Sequence, residues 1–261
     1  MLKDLGRLEE ALAAAEEAVR LFRALADSRP DAFTPNLATS LQNLTATLSI
    51  QGRHEQALIV AEEAVRLHRA LAEARPDVFR PGLASSLVNL ANVLGNWGQH
   101  ERALTPGREA VCLFRSLAAK WPDAFTLNLA KSVNNQAGRL GHLGRHYEAL
   151  AAAQEAACLY RALVEAQPDI VVVELARLLW MIGDLYTKIG KAELAIAKTT
   201  EAIQLLTPTL SANPAATAGY MAMLVENYVA QCAAVGREPD SELLGPALAV
   251  FEGLTQSEEK G

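Results

Sequence analysis

Apolar residues recur along this chain at the three- and four-residue intervals of amphipathic helices. Between Gly52 and Trp97, the residues Ala57, Ala61, Ala64, His68 and Leu71 fall on one face of a helix predicted from about Arg53 to Ala74. Leu83, Leu87, Leu90 and Leu94 do the same for a second helix, from about Gly82 to Trp97. The stretch Arg75-Pro76-Asp77-Val78-Phe79-Arg80-Pro81 is expected to separate them as an irregular connection, because proline lacks a backbone donor and clashes with the preceding turn. Gly52 and Gly98 mark helix ends, where glycine takes up the left-handed conformation of a C-terminal cap. The shorter helix is termed A and the longer one B.

The pair is a repeating unit. Gly6, Gly52, Gly98, Gly144, Gly190 and Gly236 are spaced by 46 residues, and so are Pro30, Pro76, Pro122, Pro168 and Pro214. Alanine fills whole columns of the same period: Ala11, Ala57, Ala103, Ala149, Ala195; Ala18, Ala64, Ala110, Ala156, Ala202; Ala38, Ala84, Ala130, Ala176, Ala222. Small residues at fixed positions let helix axes approach closely enough for leucines to interlock. One helix pair cannot bury both of its apolar faces, whereas a stack of pairs can, so the core is expected to run continuously through the array.

The unit resembles the tetratricopeptide repeat. In that family a large residue, a leucine and a small residue precede a glycine turn, which leads into a polar–aromatic–x–Glu–Ala–Leu segment. Leu41, Leu44 and Thr45 followed by Gly52-Arg53-His54-Glu55-Gln56-Ala57-Leu58 fit this, as do Leu87, Leu90 and Ala91 followed by Gly98-Gln99-His100-Glu101-Arg102-Ala103-Leu104. The period of 46 exceeds the family's usual length and is similar to kinesin light chain-type units and to the arrays of large bacterial regulatory proteins. The resemblance implies an all-α, right-handed α-solenoid of stacked antiparallel helix pairs. Repeats with turn glycines Gly6, Gly52, Gly98, Gly144 and Gly190 are expected over 1–212, a last A helix and a shortened capping helix over 213–253, and a flexible tail over 254–261. The chain opens on what reads as the last turn of an A helix, which leaves the first B helix (7–28) without a partner and open to self-association.

Composition narrows the function. Aromatic residues make up only 5%, which suits tightly packed helices. The net charge is −6, and from Asn213 onward two basic residues face seven acidic ones, so nothing resembles a basic stripe for nucleic acid. No segment approaches the roughly 20 apolar residues of a membrane span, and three cysteines do not make a disulfide framework. A soluble, reducing, cytoplasmic setting is expected, with no cofactor and no membrane or nucleic-acid partner.

The resemblance implies that A helices line a concave ligand-binding surface, so their non-core positions are the candidate site. Asn43 shares a column with Asn89, Asn135, Met181 and Asn227. An amide both donates and accepts, so a ladder of them suits an extended peptide backbone; the same amides can equally brace the scaffold. Other columns vary from unit to unit: Gln42, Val88, Asn134, Trp180; Thr39, Ser85, Lys131, Arg177; Ala46, Asn92, Gly138, Asp184. Variation inside a uniform repeat marks a surface free to specialise. The partner-binding candidates are therefore Gln42, Asn43, Asn89, Asn92, Lys131, Asn134, Asn135, Arg177 and Trp180, with Trp180 expected as an exposed aromatic anchor. Leu178, Met181 and Leu185 turn the fourth unit apolar, a stripe expected to be covered by the C-terminal segment folding back, with a partner protein as the alternative cover.

Several motifs suggest other chemistry and fail on geometry. His54, His100 and His146 occupy one column, but neighbouring units set such residues roughly 10 Å apart, while zinc ligands lie about 2 Å from one ion. They read as packing residues. Cys112 and Cys158 are too far apart for a disulfide on the same argument, and Cys232 falls in a leucine column that should be buried. Gly138, Gly141 and Gly144 lack the strand and Lys-Ser/Thr of a phosphate loop. Glu17, Glu63, Glu109, Glu155 and Glu201, with Arg23, Arg69, Arg115 and Arg161, form ladders with identical settings, which suits cross-links between units rather than acid–base chemistry. The sequence therefore points to a non-catalytic module that binds a protein or peptide, with a structural or oligomerising array of a larger protein as the alternative.

Overall fold

The computed structural model of the chain describes residues 2–258. Among them it forms eleven helices and no strand: α1 (Leu2–Ser28), α2 (Pro30–Ile50), α3 (His54–Ala74), α4 (Pro76–Asn96), α5 (His100–Lys120), α6 (Pro122–His142), α7 (His146–Leu163), α8 (Pro168–Lys188), α9 (Ala192–Ala212), α10 (Pro214–Ala234) and α11 (Ser241–Glu258). No described helix is long and apolar enough to cross a membrane. The chain divides into two compact units, Met1–Leu143 and Gly144–Gly261. In each, consecutive helices pack as antiparallel pairs, the construction of an α-solenoid.

Two kinds of turn alternate, and each is written in the sequence. After an A helix, Gly52, Gly98, Gly144, Gly190 and Gly236 adopt φ between 69° and 75°. Around Gly52 the amide of Arg53 reaches back to the Leu48 carbonyl at 3.0 Å, and around Gly98 that of Gln99 reaches Leu94 at 2.8 Å. This six-to-one bond satisfies a carbonyl that the helix end leaves without a partner. Gly6 is different: it lies inside α1, which continues through the position where a turn was expected.

The prolines do not make the expected irregular connection. Pro76 is the first residue of α4, and Pro81 lies within that helix. Only Arg75 stands between α3 and α4, with φ −140° and ψ 79°. Proline forces the residue before it out of the helical region, so a single residue suffices to end one helix and start the next. The amides of Val78 and Phe79 then bond to the Arg75 carbonyl, and Asp77 adds negative charge to the first turn. Arg29 before Pro30 and Trp121 before Pro122 have the same conformation. A and B helices consequently have equal lengths of 21 residues in units such as α3–α4, so the extra length of the repeat is shared between both.

The alanine columns form the floor of the packing. Ala38, Ala84, Ala130 and Ala176 are fully buried, as are Ala57, Ala103, Ala149 and Ala195. Leu41, Leu87 and Val133 pack over them at 2% exposure or less. The charge ladder cross-links successive B helices: Arg23 pairs with Glu63 at 2.7 Å, Arg69 with Glu109 at 2.7 Å, and Arg161 with Glu201. Cys112 and Cys158 are exposed and Cys232 is buried.

In the second unit α11 packs on α9 and α10. The C-terminal segment was expected to cover the apolar stripe of α8; Leu178 and Leu185 are buried, at 1% and 2% exposure, in a helix that packs chiefly against α7 and α9. α11 also runs past position 253, where the capping helix was expected to give way to a tail, to Glu258, and the remainder of the expected tail lies outside the described residues.

Candidate functional site

Within the first unit the A helices α2, α4 and α6 lie side by side, and polar groups join them. The amide nitrogen of Gln42 donates to the Gly82 carbonyl at 2.9 Å and to Ser86 Oγ at 2.7 Å. Ser86 Oγ in turn lies 2.8 Å from Nδ1 of His68, a buried residue of α3. Gln42 thus braces α2 against α4 through its amide nitrogen. The approach is close: a Cβ on Gly82 would fall 2.6 Å from the His68 ring.

One unit further on, Asn92 is the centre of a second network. Its Oδ1 accepts from Asn135 Nδ2 at 3.2 Å and from Arg139 Nη2 at 2.7 Å. Asn135 therefore braces the scaffold on one side, although Asn92 and Asn135 both remain half-buried rather than sealed. Arg139 is only 6% exposed, and burial pulls its guanidinium down to about 10. It stays charged at neutral pH. Near the ends of α5 and α6, the rings of His100 and His142 stack at 4.4 Å and an interplanar angle of 5°. Burial lowers the His100 pKa, and the charges of His142 and Arg139 lower it further. His54 similarly stacks on Trp97 at 6.5 Å. His54 and His100 of the histidine column thus pack against neighbouring rings, and no group of three or more His, Cys, Asp or Glu among the described residues is placed to share a metal ion.

The remaining first-unit candidates face outward to different degrees. Asn43 and Lys131 are exposed, and Asn89 and Asn134 are half-buried. In the second unit, Arg177 of α8 is exposed, and its charge acts on Tyr220 of α10. Trp180 is not the exposed anchor expected of it. It is half-buried, and its indole Nε1 has no hydrogen-bond partner. The Tyr220 hydroxyl is likewise buried without a partner, and burial raises its pKa. Asp184, at the position equivalent to Asn92, pairs with Lys188 at 2.8 Å. Arg139 and Tyr220 were not among the sequence candidates. A signal for Arg139 existed, since its column reads Thr47, Val93, Arg139, Leu185 and Gln231, and it carries the one charge there.

Comparison with known proteins agrees with this construction. Residues 37–76 match the family model of the tetratricopeptide repeat. No curated protein matches the chain. Among solved structures, the chain is similar to BtubC (BKLC) from P. vanneervenii, with 19% identity, a TM-score of 0.70, and coverage of 95% of this chain and 92% of that one. It is also similar to a putative kinesin light chain from Podosopora anserina with nearly identical TPR-like repeats, at 17% identity and a TM-score of 0.59, covering 83% of this chain and 95% of that one. A point variant of the latter gives 17% and 0.60, with 84% and 96% covered. At such identities the likeness is one of fold, and the long repeat unit is shared with it.

Proposed function

We propose that this chain, an array of tetratricopeptide-like repeats, is a non-catalytic protein-interaction module of the cytoplasm that holds an extended peptide or a partner segment along the face of its A helices. Repeats of this kind generally mediate contacts between proteins, and their stacked A helices offer an elongated surface on the concave side. The observation that carries the reading is a contrast. The packing columns hardly change from unit to unit, whereas two outer A-helix columns run Thr39, Ser85, Lys131, Arg177 and Ala46, Asn92, Gly138, Asp184. Asn43, Asn89, Asn134 and Lys131 leave amide and ammonium groups accessible on that face. The test is recovery of a partner from the native cell extract with the tagged chain, followed by cross-linking and mass spectrometry. Cross-links should map to α2, α4 and α6. A chain carrying Asn89→Ala, Lys131→Ala and Asn134→Ala should lose the partner while circular dichroism stays unchanged. Undiminished capture by that variant would move the site off the A helices.

A second reading, self-association through α1, is supported by one feature. Leu21 and Leu25 of α1 are 48% and 39% exposed, while Leu117 and Leu163, which share the Leu25 column, are buried. Light scattering over a concentration series decides it: a mass that grows with concentration and is abolished by Leu21→Glu supports assembly, and a constant monomer mass removes it.

A further inference from the structure

One column at the glycine turns holds a single aromatic residue. It reads Gln51, Trp97, Leu143, Ile189 and Val235. The scaffold therefore has no need of an indole there, and Trp97 remains 40% exposed. It follows the last residue of α4, whose Asn96 Nδ2 donates to Ser49 Oγ of α2 at 3.2 Å and so holds the indole beside the preceding turn. A groove of about 460 Å³ opens at this place, lined by Gly52, Arg53, His54, Glu55, Gln56 and Trp97. That volume lies within the range of small-molecule sites, about 300–1,000 Å³.

The next period shows what a closed version of the same place looks like. There His100 is matched by His142 at 4.4 Å and 5°, and the two rings cover each other. Asn96 stands where that period has His142, and the His54 ring meets Trp97 instead, at 6.5 Å and 22°. Near-parallel rings with centroids so far apart overlap little, so the imidazole leaves part of the indole face bare. The polar residues differ in the same sense. In the two following turns Arg102 donates to Gln99, and Arg145 to Glu148 at 2.7 Å. The side chains at the equivalent positions here, Arg53 and Gln56, make no hydrogen bond or ion pair with any described residue, and neither does that of Glu55.

The geometry points to a binding site for a planar heteroaromatic small molecule of about purine size, stacked on the bare face of Trp97 and held at its edge by Arg53, Glu55 and Gln56. A guanidinium donates, a carboxylate accepts and a primary amide does both. A plain phenyl ring would leave these groups unused, and a simple anion would gain nothing from the indole. A ring with nitrogen acceptors and amino donors along its edge engages both. The site lies at the turns and is independent of the peptide-binding reading above.

The test uses adenine as the probe. In the full chain carrying Trp121→Phe and Trp180→Phe, Trp97 is the only indole left, and adenine should quench its fluorescence saturably. Saturation-transfer NMR on the unsubstituted chain should show the purine protons in contact with the protein. Benzyl alcohol and acetate, which offer a ring or a charge alone, should bind at least tenfold more weakly. Joint Arg53→Ala and Gln56→Ala substitution should weaken adenine about tenfold and leave the thermal midpoint in place. Asn96→His together with Trp97→Leu copies the next period, where His142 and Leu143 stand. That variant should keep its helicity and lose the NMR transfer. Absence of quenching and of transfer in the parent chain would overturn the site. Transfer that survives Asn96→His with Trp97→Leu would overturn it as well, by moving adenine off Trp97. Benzyl alcohol binding as tightly as adenine would overturn the heteroaromatic chemistry.

Discussion

Glycine serves this protein in two physically distinct ways, and single substitutions separate them. At Gly98 the backbone has φ 75°, and nothing lies within 4 Å of a would-be Cβ. Gly98→Ala meets no neighbour, so its cost is that of placing an L-residue in the left-handed region, about 1–2 kcal/mol. Gly82 sits in a right-handed helix, where alanine would ordinarily be favoured by about 1 kcal/mol. Its Cβ would meet the His68 ring at 2.6 Å, so Gly82→Ala should destabilise through overpacking by about 1–3 kcal/mol. Urea denaturation should show the two losses, and His68→Ala should rescue Gly82→Ala but not Gly98→Ala. The same histidine sets a pH dependence. Burial lowers its pKa in the folded chain, so the unfolded chain takes up a proton first as the pH falls. Stability from this group is constant above about pH 6.5 and declines below it, by at most about 1.4 kcal/mol per pH unit. His100 contributes in the same direction, so the measurement compares unfolding at pH 7 and pH 5 in the parent chain and in His68→Phe. The substitution should flatten the dependence, and an equal slope in both would place the titration elsewhere.

At the scale of helices, periodicity was legible wherever the signal is local. Helix faces, the five left-handed glycines, the alanine floor and the 40-residue reach of the charge ladder all follow from residues repeated in register. Two things were not. The proline segment was expected to be irregular, but a proline that ends one helix also suits the first position of the next, and sequence alone does not say how many residues are needed between them. Arg75 alone suffices. The use of the A-helix amides was also hidden, because Gln42 finds Gly82 and Ser86 across 40 and 44 residues, and Asn92 finds Arg139 across 47. Such pairings depend on which side chain reaches the neighbouring helix first. The energetic ranking of the contacts is clearer than their function. Arg69 and Glu109 are 45% and 36% exposed, so Arg69→Ala should cost no more than about 1 kcal/mol, and less in high salt. Ala103 is fully buried between helices, and Ala103→Leu should cost about 1–3 kcal/mol irrespective of salt. Thermal unfolding of both variants at low and high sodium chloride checks the pair.

For the molecule as a whole, regular stacking means that each helix pair is stabilised chiefly by its immediate neighbours. Removing residues 53–98 deletes one period and joins Gly52 to Gln99, which occupies the place of Arg53 in the repeat. Arg23 would then face Glu109 where it had faced Glu63. The shortened chain should keep its helical signal per residue and unfold cooperatively, with a lower midpoint. Removing 53–100 deletes two residues more, puts Glu101 in the place of Arg53, and turns the alanine column by about 200°, off the packing face. That chain should fail to give a cooperative transition, and equal behaviour of the two deletions would contradict the packing described here.

The repeated glycine turn carries this logic beyond the laboratory. Because Gly52, Gly98, Gly144, Gly190 and Gly236 have nearly the same backbone geometry, each is an equivalent junction. The length of such a protein is quantised: unequal crossing-over between its own coding segments yields a foldable product when it adds or removes whole periods and is purged when it does not. A lineage can lengthen or shorten the array by recombination while point substitutions at the outer A-helix positions vary the surface that each period presents.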